Sequence, residues 1–444
     1  MGDRVESRGT LPKTLLLSLA TLCFGLAVVG NGPAEGSDQE EIAELKAHIR
    51  SLQRRVGELE ARQTERDAVG GDDQTSQSVT LGDFPGSLKL PESDLSFKIG
   101  GYVKLDFIHD LDYVRTGEFL VQTAIPVDGT PDAGRSGETR LSARQSRVNL
   151  DVRAATQLGL FRGFTEGDFF GSGSTFQLRH AYVELGHLLA GQTWSTFMDI
   201  TAWPETLGFE GPDAAVFARQ AQVRWTQPVT NELTLALGLE NPSGDFTDPA
   251  GGVDSKDALN QWPDLTSHLR LQDFWGHLQL GGLVRQIQFD DGVGQSDNVL
   301  GWGVALSGTL YMAGYQDNIQ FQATYGDGVG RYIQGLIGTG SDAVLSASGE
   351  GAALPAGAAF LSYQHWWTDT LRSSVGGVYG EVDNSAGQLG TAIKNFQSAA
   401  VNLVWSIVPR VTLGLQYAWA RSEVKDGRDG TARRLQATTQ FNFD

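Results

Sequence analysis

Along residues 97–443 every second position is apolar over short stretches. Ile99, Gly101, Val103, Leu105 and Phe107 share one face of an extended chain, as do Val148, Leu150 and Val152. The same period returns at Leu233, Leu235, Leu237 and Leu239, at Leu265, Leu269 and Leu271, and at Val401, Leu403, Trp405 and Ile407. It closes with Val411, Leu413, Leu415, Tyr417 and Trp419, then Leu435, Ala437, Phe441 and Phe443. Between these positions stand mostly Gln, Asn, Thr, Ser, Gly and Arg. A period of two predicts strands. An apolar face opposite a small, polar one predicts a barrel with lipid outside and water inside. A soluble sandwich would pack its apolar face inward and carry charge outside.

The turns sharpen this. Short connections at Asp273, at 408–410 and at 228–231 alternate with long Gly/Asp-rich loops near 126–138, 243–262, 327–354 and 383–395. Short turns on one rim and long loops on the other are the outer-membrane pattern, and about sixteen strands can be counted. All ten tryptophans fall after residue 190, several at strand ends, where a lipid–water girdle would place them. The expected fold is all-β: a transmembrane antiparallel β-barrel over 97–444, preceded by a short α-helical coiled coil.

That coiled coil is read at 39–66. Ile42, Leu45, Ile49, Leu52, Val56 and Leu59 alternate spacings of three and four among Glu, Arg and Lys. β-Branched residues at a with Leu at d favour two strands by peptide rules. Residues 67–96, rich in Gly, Asp, Ser, Gln and Pro, read as a flexible linker. Ahead of the heptads, Arg4, Arg8 and Lys13 precede an apolar run from Leu15 to Val29, with small residues near Gly32–Ala34. This reads as an export signal over 1–34, the alternative being an uncleaved anchor. The one cysteine, Cys23, lies inside that run, so the mature chain is expected to hold no disulfide or thiolate metal site.

Composition narrows the function. Of 444 residues 40% are hydrophobic, and the mean hydropathy of -0.22 is too polar for a helical membrane protein. A net charge of -19 argues against nucleic acid as a partner. No nucleophile elbow, zinc-protease, phosphate-loop or dinucleotide pattern occurs, and the scattered His180, His187 and His277 read as lumen or turn residues. Neither an enzyme nor a cofactor nor a metal site is expected; a hydrolytic triad assembled across strands remains the exception to test for. Arginines outnumber lysines about three to one. The alternation turns Lys104, Arg147, Arg153, Arg224, Arg270 and Arg285 inward, with Arg179 beside them, against only Asp106, Asp151 and Glu240. A net basic lumen would select small anions. The alternative is that inward Arg and Asp pair with each other and only stiffen the wall.

One stretch breaks the alternation. GQTWSTFMDITAWPETLGFEGP at 191–212 mixes Trp194, Phe197, Trp203 and Phe209 with Asp199, Glu205 and Glu210, and Pro204 and Pro212 stop it continuing as a strand. So apolar a loop should not stand in water. It is expected to fold into the lumen, to pack across a subunit boundary, or to pack on itself.

FKIGGYVKLDFIHD at 97–110, RLSARQSRVNLDVRA at 140–154, and GQTWSTFMD with PETLGFEGP at 191–211 resemble the DcaP-like trimeric outer-membrane porins, as does the order signal, heptads, linker, barrel. The resemblance covers essentially the whole mature chain. It implies a sixteen-stranded barrel in the outer-membrane lipid, a homotrimer with a periplasmic coiled coil, and passive uptake of small anionic solutes, dicarboxylates in particular. It also implies an inward constriction loop at 196–212. Arg144, Arg147 and Arg153 lie in the matching second segment and become pore candidates. The rival reading is a structural anchor that tethers the envelope through its N-terminal coiled coil. Deleting residues 39–96 separates the two: a tether loses its function, and a pore keeps conducting in planar bilayers.

Overall fold

The computed structural model describes residues 80–248, 253–254, 260–290, 296–312, 314, 316–346 and 348–443. The export signal and the heptads at 39–66 lie outside them. Sixteen antiparallel strands form the wall. They are β1 (Ser96–Asp110), β2 (Arg147–Thr156), β3 (Gly159–Asp168), β4 (Gln177–Leu185), β5 (Leu188–Trp194), β6 (Arg219–Pro228), β7 (Leu233–Glu240) and β8 (Asp264–Asp273). The second half is β9 (Gly276–Asp290), β10 (Ser296–Tyr311), β11 (Asn318–Asp327), β12 (Pro355–Trp366), β13 (Leu371–Val382), β14 (Ile393–Val408), β15 (Val411–Val424) and β16 (Asp429–Asn442). Each pairs with its sequence neighbour, and β16 pairs back onto β1 from Arg434↔Asp110 to Asn442↔Tyr102, so the barrel is closed. Closure leaves no strand edge in lipid, where an unpaired backbone group costs several kcal/mol. No α-helix occurs among the described residues.

The alternation sets which way the side chains face. Val103, Leu105, Leu237, Leu265, Leu403 and Leu415 are all exposed on the outer face, while their neighbours Lys104, Asp106, Thr266, Gln416 and Gln436 are buried inside. β1 exchanges partners along its length. Its first half pairs with β2 and its second with a short strand, Thr139–Ser142, that continues β2 beyond the link 143–146. The exchange falls between Tyr102 and Asp106. Just before it stands Gly101 (φ +138°), where a Cβ would meet the Arg147 carbonyl oxygen, so only glycine fits.

Short turns join β2 to β3, β4 to β5, β8 to β9 and β14 to β15 on one rim, and the long loops lie on the other. Phe274, Trp367 and Trp405 are exposed near the short-turn rim, and Trp262 and Trp302 toward the opposite one, as two aromatic girdles require. Trp194 and Trp203 do not join them. They pack inside, against Phe217.

Two expectations change. The stretch read as a linker at 67–96 is structured from Thr80: Thr80–Leu81 pairs with Leu88–Lys89, which pairs with β1. A deletion meant to spare the barrel should therefore stop before Thr80. Second, the inner face is not polar throughout. Leu283, Ile287, Phe289, Ala356, Ala358, Phe360, Val382 and Phe396 are buried on the inner side of β9 and β12–β14. Leu283 and the β12–β14 residues pack with Phe197, Met198, Ala214–Val216, Tyr332, Ile333 and Leu336 from two long loops, making an apolar core inside the barrel, while Ile287 and Phe289 form a second cluster with Phe246, Ala343 and Leu345.

Phe197 is the peg of that core. A Cβ at Gly281 would lie 3.0 Å from its ring, and one at Gly303 would lie 2.9 Å from Val329. Gly281→Val should displace Phe197 at a cost of about 1–3 kcal/mol. The shift from the folded to the unfolded band on a semi-native gel should then occur at lower temperature, with the barrel still assembled.

Candidate functional site

Between β5 and β6 the chain turns into the lumen instead of looping over the rim. The Ser195 N–H donates to the Ala218 carbonyl (2.9 Å) and closes the neck of the loop. The segment then meets the wall in barrel order. The Thr196 N–H donates to Glu240 on β7 (2.6 Å), and His268 on β8 donates to the Thr196 carbonyl (2.7 Å). Asp199 accepts from Arg270 on β8 (3.2 Å), His277 on β9 (2.8 Å) and Ser307 on β10 (2.8 Å). Glu205 accepts from Gln364 on β12 (3.0 Å) and Arg372 on β13 (2.6 Å), and Asn402 on β14 donates to its carbonyl (2.6 Å). The Leu207 N–H donates to Gln416 on β15 (2.8 Å); its carbonyl accepts from Gln436 on β16 (2.9 Å) and Lys104 on β1 (2.8 Å). Phe209 then packs on Phe170 and Phe119 and beneath the guanidinium groups of Arg147 and Arg179.

The return limb is held by the loop 328–346. The Phe217 N–H donates to the Tyr332 carbonyl (2.8 Å), and the Gly335 N–H to the Asp213 carbonyl (2.8 Å). That loop is fastened in turn by Arg285 on β9, which pairs with Asp342 (3.0 Å) and Asp264 (3.5 Å), and by Arg331, which pairs with Asp264 (3.0 Å). What remains open beside the 195–218 segment is a cavity lined by Glu205, Glu210, Asp213, Asn402, Arg434 and Gln436.

The cations singled out from the sequence divide by what they touch. Arg285 is 1% exposed and Lys104 3%, so both are structural ties and neither can meet a solute. Arg144 is a loop clamp: it donates to the carbonyls of Phe169, Phe170 and Gly171 and pairs with Glu118. Arg179, 2% exposed, is bound by Glu166 (3.1 Å) and Asp168 (2.7 Å). Arg270 is committed to Asp199 and Thr201. Arg153 pairs with Asp151 (2.7 Å) and carries Phe84 of the N-terminal hairpin on its guanidinium plane. The net basic lumen therefore does not hold, since the alternation count missed the inward acids Asp110, Glu166, Asp168, Glu184 and Asp264.

It also missed cations. Arg162 on β3 faces inward and bonds Asp151 (3.0 Å), and Arg219 opens β6. The alternation through Arg162, Phe164 and Glu166 carried the first of these; nothing in the sequence marked the second. Three guanidinium groups on the β2–β6 wall stay lightly held. Arg147 has one long pair, to Glu166 at 3.5 Å. Arg219 stacks on Trp194 (5.2 Å), and its Nη1 is buried with no acceptor. Arg224 has no ion pair or hydrogen bond among the described residues. Cross-strand register sets Arg153, Arg162, Glu184, Leu189 and Arg224 side by side on adjacent strands, with Arg147 and Arg219 nearer the long-loop rim.

A profile of DcaP outer membrane proteins matches residues 34–443. The chain belongs to the DcaP outer membrane protein family. The DcaP outer-membrane channel of Acinetobacter baumannii has the same fold: TM-score 0.68 at 20% identity, over 82% of this chain and 100% of that one. An anion-selective porin from Comamonas acidovorans superimposes with TM-score 0.52 at 10% identity, over 79% of this chain and 100% of its own. OmpT, an outer membrane protein of Vibrio cholerae, gives TM-score 0.50 at 10% identity, over 79% and 98%. No curated protein matches the sequence. Like its DcaP relatives, the chain is an outer-membrane β-barrel of the channel type.

Within this DcaP barrel Asp199 is the hub that ties loop to wall. Burial alone would raise its carboxyl, but hydrogen bonds from His277, Thr201 and Ser307 override that and hold it well below the usual carboxylate range. Asp199→Ala leaves Arg270 and His277 facing an emptied site and should cost about 3–5 kcal/mol. Single-channel recordings of the variant should show a larger and noisier conductance than wild type, because the loop loses three strands of anchorage at once.

Proposed function

We propose that this chain is a passive diffusion channel for small organic anions, dicarboxylates among them. In this reading residues 196–212 form the constriction, and three copies assemble with residues 39–66 as a periplasmic coiled coil once 1–34 has been removed. Solute enters from the long-loop side and leaves unchanged.

The observation that carries the reading is the pair Arg219 and Arg224, cations without a carboxylate partner on a wall where the other arginines have one. A guanidinium in a narrow, partly desolvated bore acts more strongly on a passing carboxylate than one in bulk water. Its planar fork fits that group's two oxygens. Arg147, Arg153 and Arg162, each shared with a wall acid, extend the line of positive charge along β2–β6. Sharing keeps each contact weak, as release requires. The resemblance to DcaP-like porins supports the trimer and the dicarboxylate class.

The test is flux. Liposomes carrying the channel should swell faster in succinate than in putrescine, a diamine of matching length. Arg219→Glu with Arg224→Glu should shift that preference by roughly tenfold toward the diamine, which corresponds to about 1.4 kcal/mol. An unchanged ratio in a properly assembled variant removes the anion reading.

A further inference from the structure

The loop residues Glu210 and Asp213 are the acids that this reading of the pore does not use. Asp213 is 4% exposed; its Oδ1 and the Glu210 Oε1 are buried without a hydrogen-bond partner. Both line the cavity between the loop and β12–β16. They lie near enough for the charge of one to oppose ionisation of the other.

Hydrogen bonds to the wall and to the second loop hold the stretch around them at its two ends, and packing holds its middle. Leu207 is tied to Lys104, Gln416 and Gln436, and the Asp213 carbonyl to Gly335. Between those ties Phe209 rests on Arg147 and Arg179. Gly211 takes a left-handed turn (φ +71°) against the Trp203 ring. Phe209 is joined directly to Glu210, and its ring lies 6.0 Å from the Arg147 guanidinium and 5.3 Å from that of Arg179.

The charges around the pair do not cancel it. Facing Glu210 are Arg434 from β16, Lys104 from β1 and Glu118 from the first long loop. Arg434 is already bound by Asp110 (2.6 Å), and Lys104 by Asp106 (3.3 Å). Asp213 faces Gln122 of the first loop and no cation. Glu205, on the same segment, is taken by Arg372.

The geometry points to a pH-responsive gate: Glu210 and Asp213 hold the 208–213 turn packed across the lumen while protonated, and their joint ionisation releases it. Burial pushes the Glu210 carboxyl up to about 7 and raises that of Asp213 as well. For an acid raised in this way the packed form binds more protons than the released one. Packing is therefore favoured at low pH and weakens as pH climbs from the ordinary carboxylate range through about 7.

The inference rests on the 195–218 loop narrowing the passage, not on the sign of the ions that pass. Single channels of the full protein in symmetric KCl, stepped from about pH 5.5 to about pH 8.5, should spend more time in the wide state as pH rises. The ratio of wide to narrow dwell time should rise roughly tenfold per pKa unit between packed and released carboxyls. Glu210→Gln with Asp213→Asn should fix the channel in its low-pH behaviour. Should that pair fail to assemble, Glu210→Gln alone removes the repulsion on Asp213 and should move the midpoint to lower pH. A flat wild-type profile, the opposite slope, or a midpoint that ignores both substitutions overturns the gate. Ion selectivity recorded on the same channels in a salt gradient reports on the anion reading separately.

Discussion

Every backbone polar group at membrane depth must find a partner within the protein, because the hydrocarbon offers none. Pairing of Arg434–Asn442 with Tyr102–Asp110 meets that demand by joining the last strand to the first. All else follows from the ring. Strict alternation across a closed sheet forces one set of side chains into lipid and the other into the bore, so a residue's parity fixes its environment. Small departures are needed near the point where β1 exchanges partners, and Gly101, one residue before the end of its pairing with β2, absorbs one of them.

A ring this wide would leave a broad aqueous channel, and this chain spends two long loops on filling it. The 195–218 and 328–346 segments pair through Val216↔Ile333 and share an apolar core with β9 and β12–β14. The core drives the loops inward by ordinary hydrophobic burial. The polar ties at Asp199, Glu205, Leu207 and Arg285 then fix where they sit. One side of the lumen is packed like a protein interior, and the β2–β6 wall keeps the lightly held arginines.

The wall was legible in the sequence and its filling was not. Val103, Leu237 and Leu415 announce their orientation because they alternate with polar neighbours, and the tight turns at Asp273 and Val408–Arg410 announce the short rim. In GGLVRQIQF the apolar Leu283, Ile287 and Phe289 share the inward parity with Arg285 while Gln286 and Gln288 take the other, so a rule that sends apolar residues to lipid misplaces them. The 195–218 loop betrayed itself by being too apolar for water, yet its partners on twelve other strands depend on three-dimensional order that spacing cannot carry. Ion pairs are the hardest case. Parity turned Arg285 inward correctly, but only Asp264 and Asp342, one from a neighbouring strand and one from a distant loop, show that it is a tie and not a solute contact.

In the proposed reading, selection by charge rests on imbalance, not on abundance. Most inward arginines are neutralised by a wall carboxylate, so the field a solute feels comes from the few that are not. The zero-current potential of wild-type channels across a potassium chloride gradient reports the sign of that field directly. The account predicts a potential that places chloride ahead of potassium; a potential that places potassium first would contradict it.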